Sequence, residues 1–191
     1  METTEIAVVD SLKEIMSLGS IFAASGMFVD AKTQAQAVVK IIAGRELGLS
    51  PIESMTNIFF VNNRRGLTSG VMASLVKKNG KYDYRTKKLD NDECILEFFK
   101  ITEDEKELLG ESIFTFKDAA RAGLVNKDNW KNYPRNCLFA RALSNGVKWF
   151  APDAACGYTI EELEDIGQLS EARPTVVSID VSGEVKSEAK S

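Results

Sequence analysis

From Asn129 to Phe150 the chain keeps one pattern, and that pattern constrains the rest of the fold. At ~100° per residue, Phe139, Ala140, Leu143, Val147 and Phe150 share one arc. Lys131, Arg135, Arg141, Asn145 and Lys148 share another, together with Leu138 and Trp149. The segment therefore reads as one long helix with a packing face and a basic face. Pro134 lies near its start, where a missing N–H does least harm, and Pro152 stops it.

The preceding residues supply a layer for that helix to pack on. Ile58 to Val61 reads as a strand, Asn62 to Gly66 as a hairpin loop, and Leu67-Thr68 as the start of the return strand. Val71 to Lys78 is helical. Tyr82 to Arg85 alternates aromatic with charge, as a strand with two distinct faces does. Asp90 to Asp92 turns the chain, Cys94 to Lys100 returns it, and a charged loop from Thr102 to Gly110 leads to a strand over Ser112 to Phe116. Thr115 with Asp118 predicts the N-cap of a short helix ending at Gly123. Upstream, one helix is expected over Ile6 to Ser25 and a second from Asp30 as N-cap, closing in Gly44 to Pro51, with a short helix after Pro51. Downstream, Thr159-Ile160-Glu161-Glu162 is a capping box for a last helix to about Ile166. The order predicts an α+β fold: a small antiparallel sheet with a β-hairpin arm, packed against several helices including the long one. We expect an N-terminal helical segment over residues 1–29, a core over 30–170 and a mobile acidic tail over 171–191, in which Val176, Val177 and Ile179 could make one strand.

Composition excludes whole classes of chemistry. The chain of 191 residues has no histidine, which removes Ser-His-Asp and Cys-His catalysis and any His-bearing zinc site. Cys94, Cys137 and Cys156 are scattered, as reduced cytosolic thiols are, and form no CxxC. No apolar run approaches the ~20 residues of a membrane span. No GxxxxGK[ST] loop is present, so ATP hydrolysis of the Walker type is not expected. Glu103, Asp104 and Glu105 are adjacent in a loop and make a poor preformed metal site. We expect no catalytic residue, no cofactor and no metal.

The formal charge is −4, yet the charge is blocked. Arg64 to Lys88 carries eight basic residues against Asp83, a net of +7; Asp90 to Glu111 has a net of −7; Lys117 to Lys148 has a net of +5. Such blocks can fold into one basic and one acidic surface, which governs binding more than the total does. The candidate nucleic-acid contacts are Arg64 and Arg65 on the hairpin, Lys77 and Lys78 at a helix end, Lys87 and Lys88 near a strand end, and Lys131, Arg135, Arg141, Asn145 and Lys148 on the long helix. Cations interleaved with rings suit a single strand, because they neutralise phosphates while aromatics stack on bases. A solvated basic face with a buried tryptophan fits the same pattern, and Tyr82 and Tyr84 fit core packing as well as stacking.

An ordered series of motifs resembles the RecT-like single-strand annealing proteins of phages and prophages. It runs through Ala43-Gly44-Arg45-Glu46-Leu47-Gly48-Leu49-Ser50-Pro51, the Arg64-Arg65-Gly66 hairpin, Val71-Met72-Ala73-Ser74-Leu75-Val76 with Gly80, Phe114-Thr115-Phe116-Lys117-Asp118-Ala119 and Ala122-Gly123-Leu124. It ends in Asn129-Trp130-Lys131-Asn132-Tyr133-Pro134-Arg135-Asn136, Ala140-Arg141-Ala142, Pro152-Asp153 and Gly157-Tyr158-Thr159-Ile160-Glu161-Glu162-Leu163. The series covers about residues 30 to 166. The chain is short for the family, and Cys137 stands where methionine is common. The resemblance implies ATP-independent annealing of single-stranded DNA in phage homologous recombination, through an annealed duplex intermediate. It also implies a homo-oligomeric ring or filament, a partner phage exonuclease, a host single-strand binding protein as a further partner, and the bacterial host cytoplasm as location. A reading from another class is a phage regulatory or anti-defence protein that uses the same fold to bind a host protein. A metal-dependent nuclease is disfavoured, since no carboxylate pair clusters at a strand end.

Overall fold

Helix caps and two short sheets organise the chain. The computed structural model describes residues 11–61, 64–103, 105–155, 157–160 and 162–163. Ser11 and Glu14 form a reciprocal capping box that opens α1 (Leu12–Ser25). The next helix, α2 (Gln34–Arg45), starts later than the expected Asp30. Its cap is Thr33, which exchanges hydrogen bonds with Gln36. Asp30 instead receives the ammonium of Lys40 at 2.7 Å. Lys40 is only 2% exposed; it also donates to the Met55 carbonyl at 2.8 Å and lies 5.0 Å from the centroid of the Phe59 ring. A buried ammonium requires such partners, and that need takes Asp30 away from capping.

Ser50 caps α3 (Pro51–Asn57), with proline at its first turn. Strand β1 (Ile58–Val61) pairs antiparallel with β2 (Arg64–Leu67). Arg64 and Arg65 are therefore strand residues opposite Val61 and Phe60, rather than the tip of a loop. Asn62 and Asn63 lie outside the described residues. Thr68 caps α4 (Ser69–Lys78).

Three antiparallel strands follow in sequence order: β3 (Tyr82–Leu89), β4 (Glu93–Ile101) and β5 (Lys106–Thr115). β5 begins well before the expected Ser112. Lys106, Glu107, Leu108, Gly110 and Glu111 pair with β4 from Ile101 to Glu97, so most of the expected charged loop is strand. The Thr115–Asp118 capping box opens α5 (Phe116–Arg121), as read from the sequence.

The long helix is in fact two, α6 (Asp128–Asn132) and α7 (Pro134–Phe150). The break is Tyr133, at φ −136° and ψ 54°; the proline ring disfavours helical backbone in the residue before it. Lys131 consequently does not share a helical face with Arg135 and Lys148. A short β6 (Tyr158–Thr159) joins the other side of β2 in parallel. The Thr159 hydroxyl accepts the Glu162 N–H at 3.3 Å, as the capping motif predicts. The expected helix end at Ile166, the tail over 171–191 and Cys156 lie outside the described residues.

The class is α+β. α7 packs across β4 and β5, where Leu96, Phe98, Leu138, Ala142, Leu143 and Val147 are buried with Trp130. Each large side chain buried this way contributes about 1.5–3 kcal/mol. The buried Ser112 hydroxyl donates to the Ala142 carbonyl at 2.7 Å and ties strand to helix. A second apolar cluster of Ile15, Ala31, Ala37, Ile41 and Met55 joins α1 to α2 and α3. The boundary expected near residue 29 thus crosses a shared core. Among the described residues, no helix is long and apolar enough to cross a membrane.

Candidate nucleic-acid interface

Two glycines build the corner at which several of the expected contacts meet. Gly66 on β2 faces Leu163, where a Cβ would come within 2.6 Å of the leucine Cδ1. Gly157 adopts φ 135°, and a Cβ there would press on the Arg65 carbonyl at 3.1 Å. Both positions let the segment around Tyr158 lie directly on β2. Tyr158 then stands beside Arg64, whose guanidinium carbon is 5.8 Å from the ring centroid. From the other layer, the ammonium of Lys148 on α7 comes within 4.2 Å of the same ring. Two cations on one half-buried tyrosine are the most distinctive surface feature of this corner.

Behind that ring lies a carboxylate. Glu162, 7% exposed, accepts the Lys148 ammonium at 2.7 and 2.9 Å and the Ser144 hydroxyl at 2.5 Å. Arg141 Nη1 is 3.7 Å from the same carboxylate. Arg141, Ser144 and Lys148 stand three and four residues apart, so they project from neighbouring turns of one α7 face. Arg141, with a side chain 14% exposed, is an inward brace, and Lys148 is the more exposed of the two cations on Glu162. Asn145 is half-buried beside it, and Leu138, of the same sequence arc, is fully buried.

The remaining expected contacts divide. Arg135 is exposed and makes no ion pair among the described residues, and Lys78 is exposed at the end of α4. Lys131 is 3.9 Å from Asp128 within α6. Arg65 is largely covered and lies 3.6 Å from Glu46. Lys77, Lys87 and Lys88 do not form an open basic ridge. Lys77 donates to Asp83 at 2.7 Å, Lys87 to Glu111 at 2.5 Å, and Lys88 to Glu93 at 2.6 Å. Arg85 pairs with Glu97 at 2.6 Å and Lys106 with Asp83 at 2.7 Å.

The first basic block and the acidic block thus meet across the antiparallel sheet rather than on opposite surfaces. Donating to Glu111 and Glu93 raises the pKa of Lys87 and Lys88 respectively, and accepting from Arg85 lowers that of Glu97. Burial pushes Asp83 up, but the ammoniums of Lys106 and Lys77 with the Tyr84 N–H outweigh it and hold the group at about 2. Tyr84 packs against Phe98 and Phe139 in the core. Hydrogen bonding to Asp153 raises the Tyr82 pKa. Among the described residues, Tyr133 and Trp149 are the most exposed rings, one at each end of α7, ahead of Phe60 and Phe116.

Sequence reasoning named Arg64, Arg141 and Lys148 but not Tyr158, Ser144 or Glu162 as parts of one site. The signal for the last group was the Gly157-to-Leu163 motif, whose glycine and capping threonine set the approach to β2. Among the described residues, no group of three or more histidine, cysteine, aspartate or glutamate side chains is placed to hold a metal ion. Compared with family models, curated proteins and solved structures, the chain matches none.

Proposed function

We propose that this chain is a RecT-like single-strand annealing protein that binds single-stranded DNA at the corner of β2, β6 and α7 and pairs it with a complementary strand without ATP. The observation that carries the reading is the Tyr158 ring with Arg64 and Lys148 against it. Cations serve phosphates, and rings serve unpaired bases. Exposed Arg135 and Trp149 on the same helix extend that chemistry along α7. Exposed apolar side chains on the first helices and their connection, among them Leu12, Met16, Val29 and Val39, suit assembly of many copies. Assembly raises the local concentration of paired segments and favours annealing. In this reading the protein works as a ring or filament in the bacterial cytoplasm, on strands exposed by a phage exonuclease and covered by a host single-strand binding protein. The same exposed apolar residues favour one alternative, a regulatory protein that docks on a host protein.

The test is binding of a labelled oligonucleotide, followed by anisotropy over a salt series. Affinity should fall steeply with salt, and Arg64→Ala and Lys148→Ala should each lower the log–log slope by about 0.7. Wild-type binding insensitive to salt, or an unchanged slope in both folded variants, contradicts the reading.

A further inference from the structure

We propose that Glu162 is a positioning residue, which fixes the Lys148 ammonium over Tyr158 so that a backbone phosphodiester of the single strand meets a cation already in place. The inference rests on the single-strand reading of this corner. A lysine on an open helix face samples many rotamers and loses that freedom when a phosphate captures it. Lys148 has lost it already. Both carboxylate oxygens of Glu162 accept from its ammonium, at 2.7 and 2.9 Å, and the Tyr158 ring holds it from another side at 4.2 Å. Its side chain is still 34% exposed, and an ammonium has three N–H donors, so one is left for a phosphate oxygen after the two carboxylate bonds.

Glu162 is itself held by groups more covered than Lys148. The fully buried Ser144 donates its hydroxyl, and the largely covered Arg141 backs the carboxylate at 3.7 Å. Leu163, buried against Gly66, and the Thr159 cap on the Glu162 N–H fix the backbone that carries it. A carboxylate beside a phosphate site opposes binding by simple charge. Its presence here, with both oxygens on the lysine, points to orientation as the larger effect.

The two effects have opposite signs, so one substitution separates them. Glu162→Gln keeps the shape and an acceptor oxygen but removes the negative charge. Charge alone makes this variant bind single-stranded DNA more tightly. Positioning makes it bind about fivefold more weakly, for half the rotamer freedom of a lysine regained, and lowers the salt slope by about 0.7, one phosphate contact. Lys148→Ala should lose the same slope, and the double variant should lose no more than Lys148→Ala does.

The probe is a labelled oligothymidine on the full chain, with folding checked by circular dichroism. Tighter binding by Glu162→Gln, or weaker binding at the wild-type slope, overturns the proposal. If Glu162→Gln does not fold, Ser144→Ala carries the test, with lower affinity and a shallower slope expected and a wild-type slope overturning. Failure of the single-strand reading is seen separately, as a wild-type protein that does not bind or a Lys148→Ala variant with wild-type affinity and slope.

Discussion

Gly146→Ala should destabilise this protein, although alanine is the better helix former. Gly146 sits inside α7 against the Phe98 ring; a Cβ would lie 2.1 Å from Cε2 and 2.4 Å from Cζ. The ring has little room to turn. It is fully buried, with Phe150 at 5.6 Å and Tyr84 at 6.1 Å between centroids. Forcing a methyl into a packed core costs about 1–3 kcal/mol, and contacts this short place the cost at the upper end. Replacing glycine by alanine in a helix interior returns up to ~1 kcal/mol. The net is about 2 kcal/mol of destabilisation, or a fall in Tm of about 4–8 °C for a chain of this size. Gly70, in the first turn of α4, is the matched control: nothing lies within 4 Å of its Cβ position. Gly70→Ala should leave Tm unchanged or raise it by about 1–3 °C. Thermal melts followed by far-ultraviolet circular dichroism measure both. A Gly146→Ala protein as stable as the wild type would refute the packing of α7 on β4 described above.

Three further outcomes are expected. Asp83, held at about 2 against an ordinary 3.8, stabilises the fold above its unfolded pKa, and this contribution is lost as pH falls through 3.8 toward about 2. Asp83→Asn should therefore flatten the acid limb of stability by about 1 kcal/mol after solvent screening, measured as urea midpoints at pH 5 and pH 2.5. Arg135→Ala should weaken single-strand binding and flatten its salt dependence with no change in Tm, whereas Arg141→Ala should lower stability by about 1–3 kcal/mol; equal melting curves for the two would contradict the inward placement of Arg141. Cys94, buried with its thiol pushed up to about 12, should resist an aromatic disulfide reagent in the native protein and react once urea unfolds it; fast native labelling at Cys94 would contradict its burial.

The local features of this fold are legible in the sequence and the long-range ones are not. The cap at Thr115 depends on neighbours within a few residues and stands where its signal predicts, whereas the return strand of the hairpin begins at Arg64 rather than Leu67, because Arg64 to Gly66 pair with β1. Asp30 misled because the ammonium of Lys40, ten residues away, recruits it. The break at Tyr133 was open to reading, since Pro134 disfavours helix in the residue before it as well as permitting a start. The basic and acidic blocks were visible, but net charge carries no register. Only the pairing of β3 with β4 and β4 with β5 shows that Arg85 meets Glu97 and that Lys87 lies within reach of Glu111. The corner around Tyr158 depends on a parallel strand of two residues and on Gly66 facing Leu163. No local pattern joins Lys148 to Glu162.

The property to measure is annealing itself. Complementary fluorescent oligonucleotides are mixed with the folded full-length chain at low salt in EDTA, without ATP, over a range of protein concentrations. An annealing function predicts pairing well above the protein-free rate, and larger protein assemblies on DNA than off it. Pairing no faster than the protein-free control at every concentration would contradict it and favour the regulatory reading.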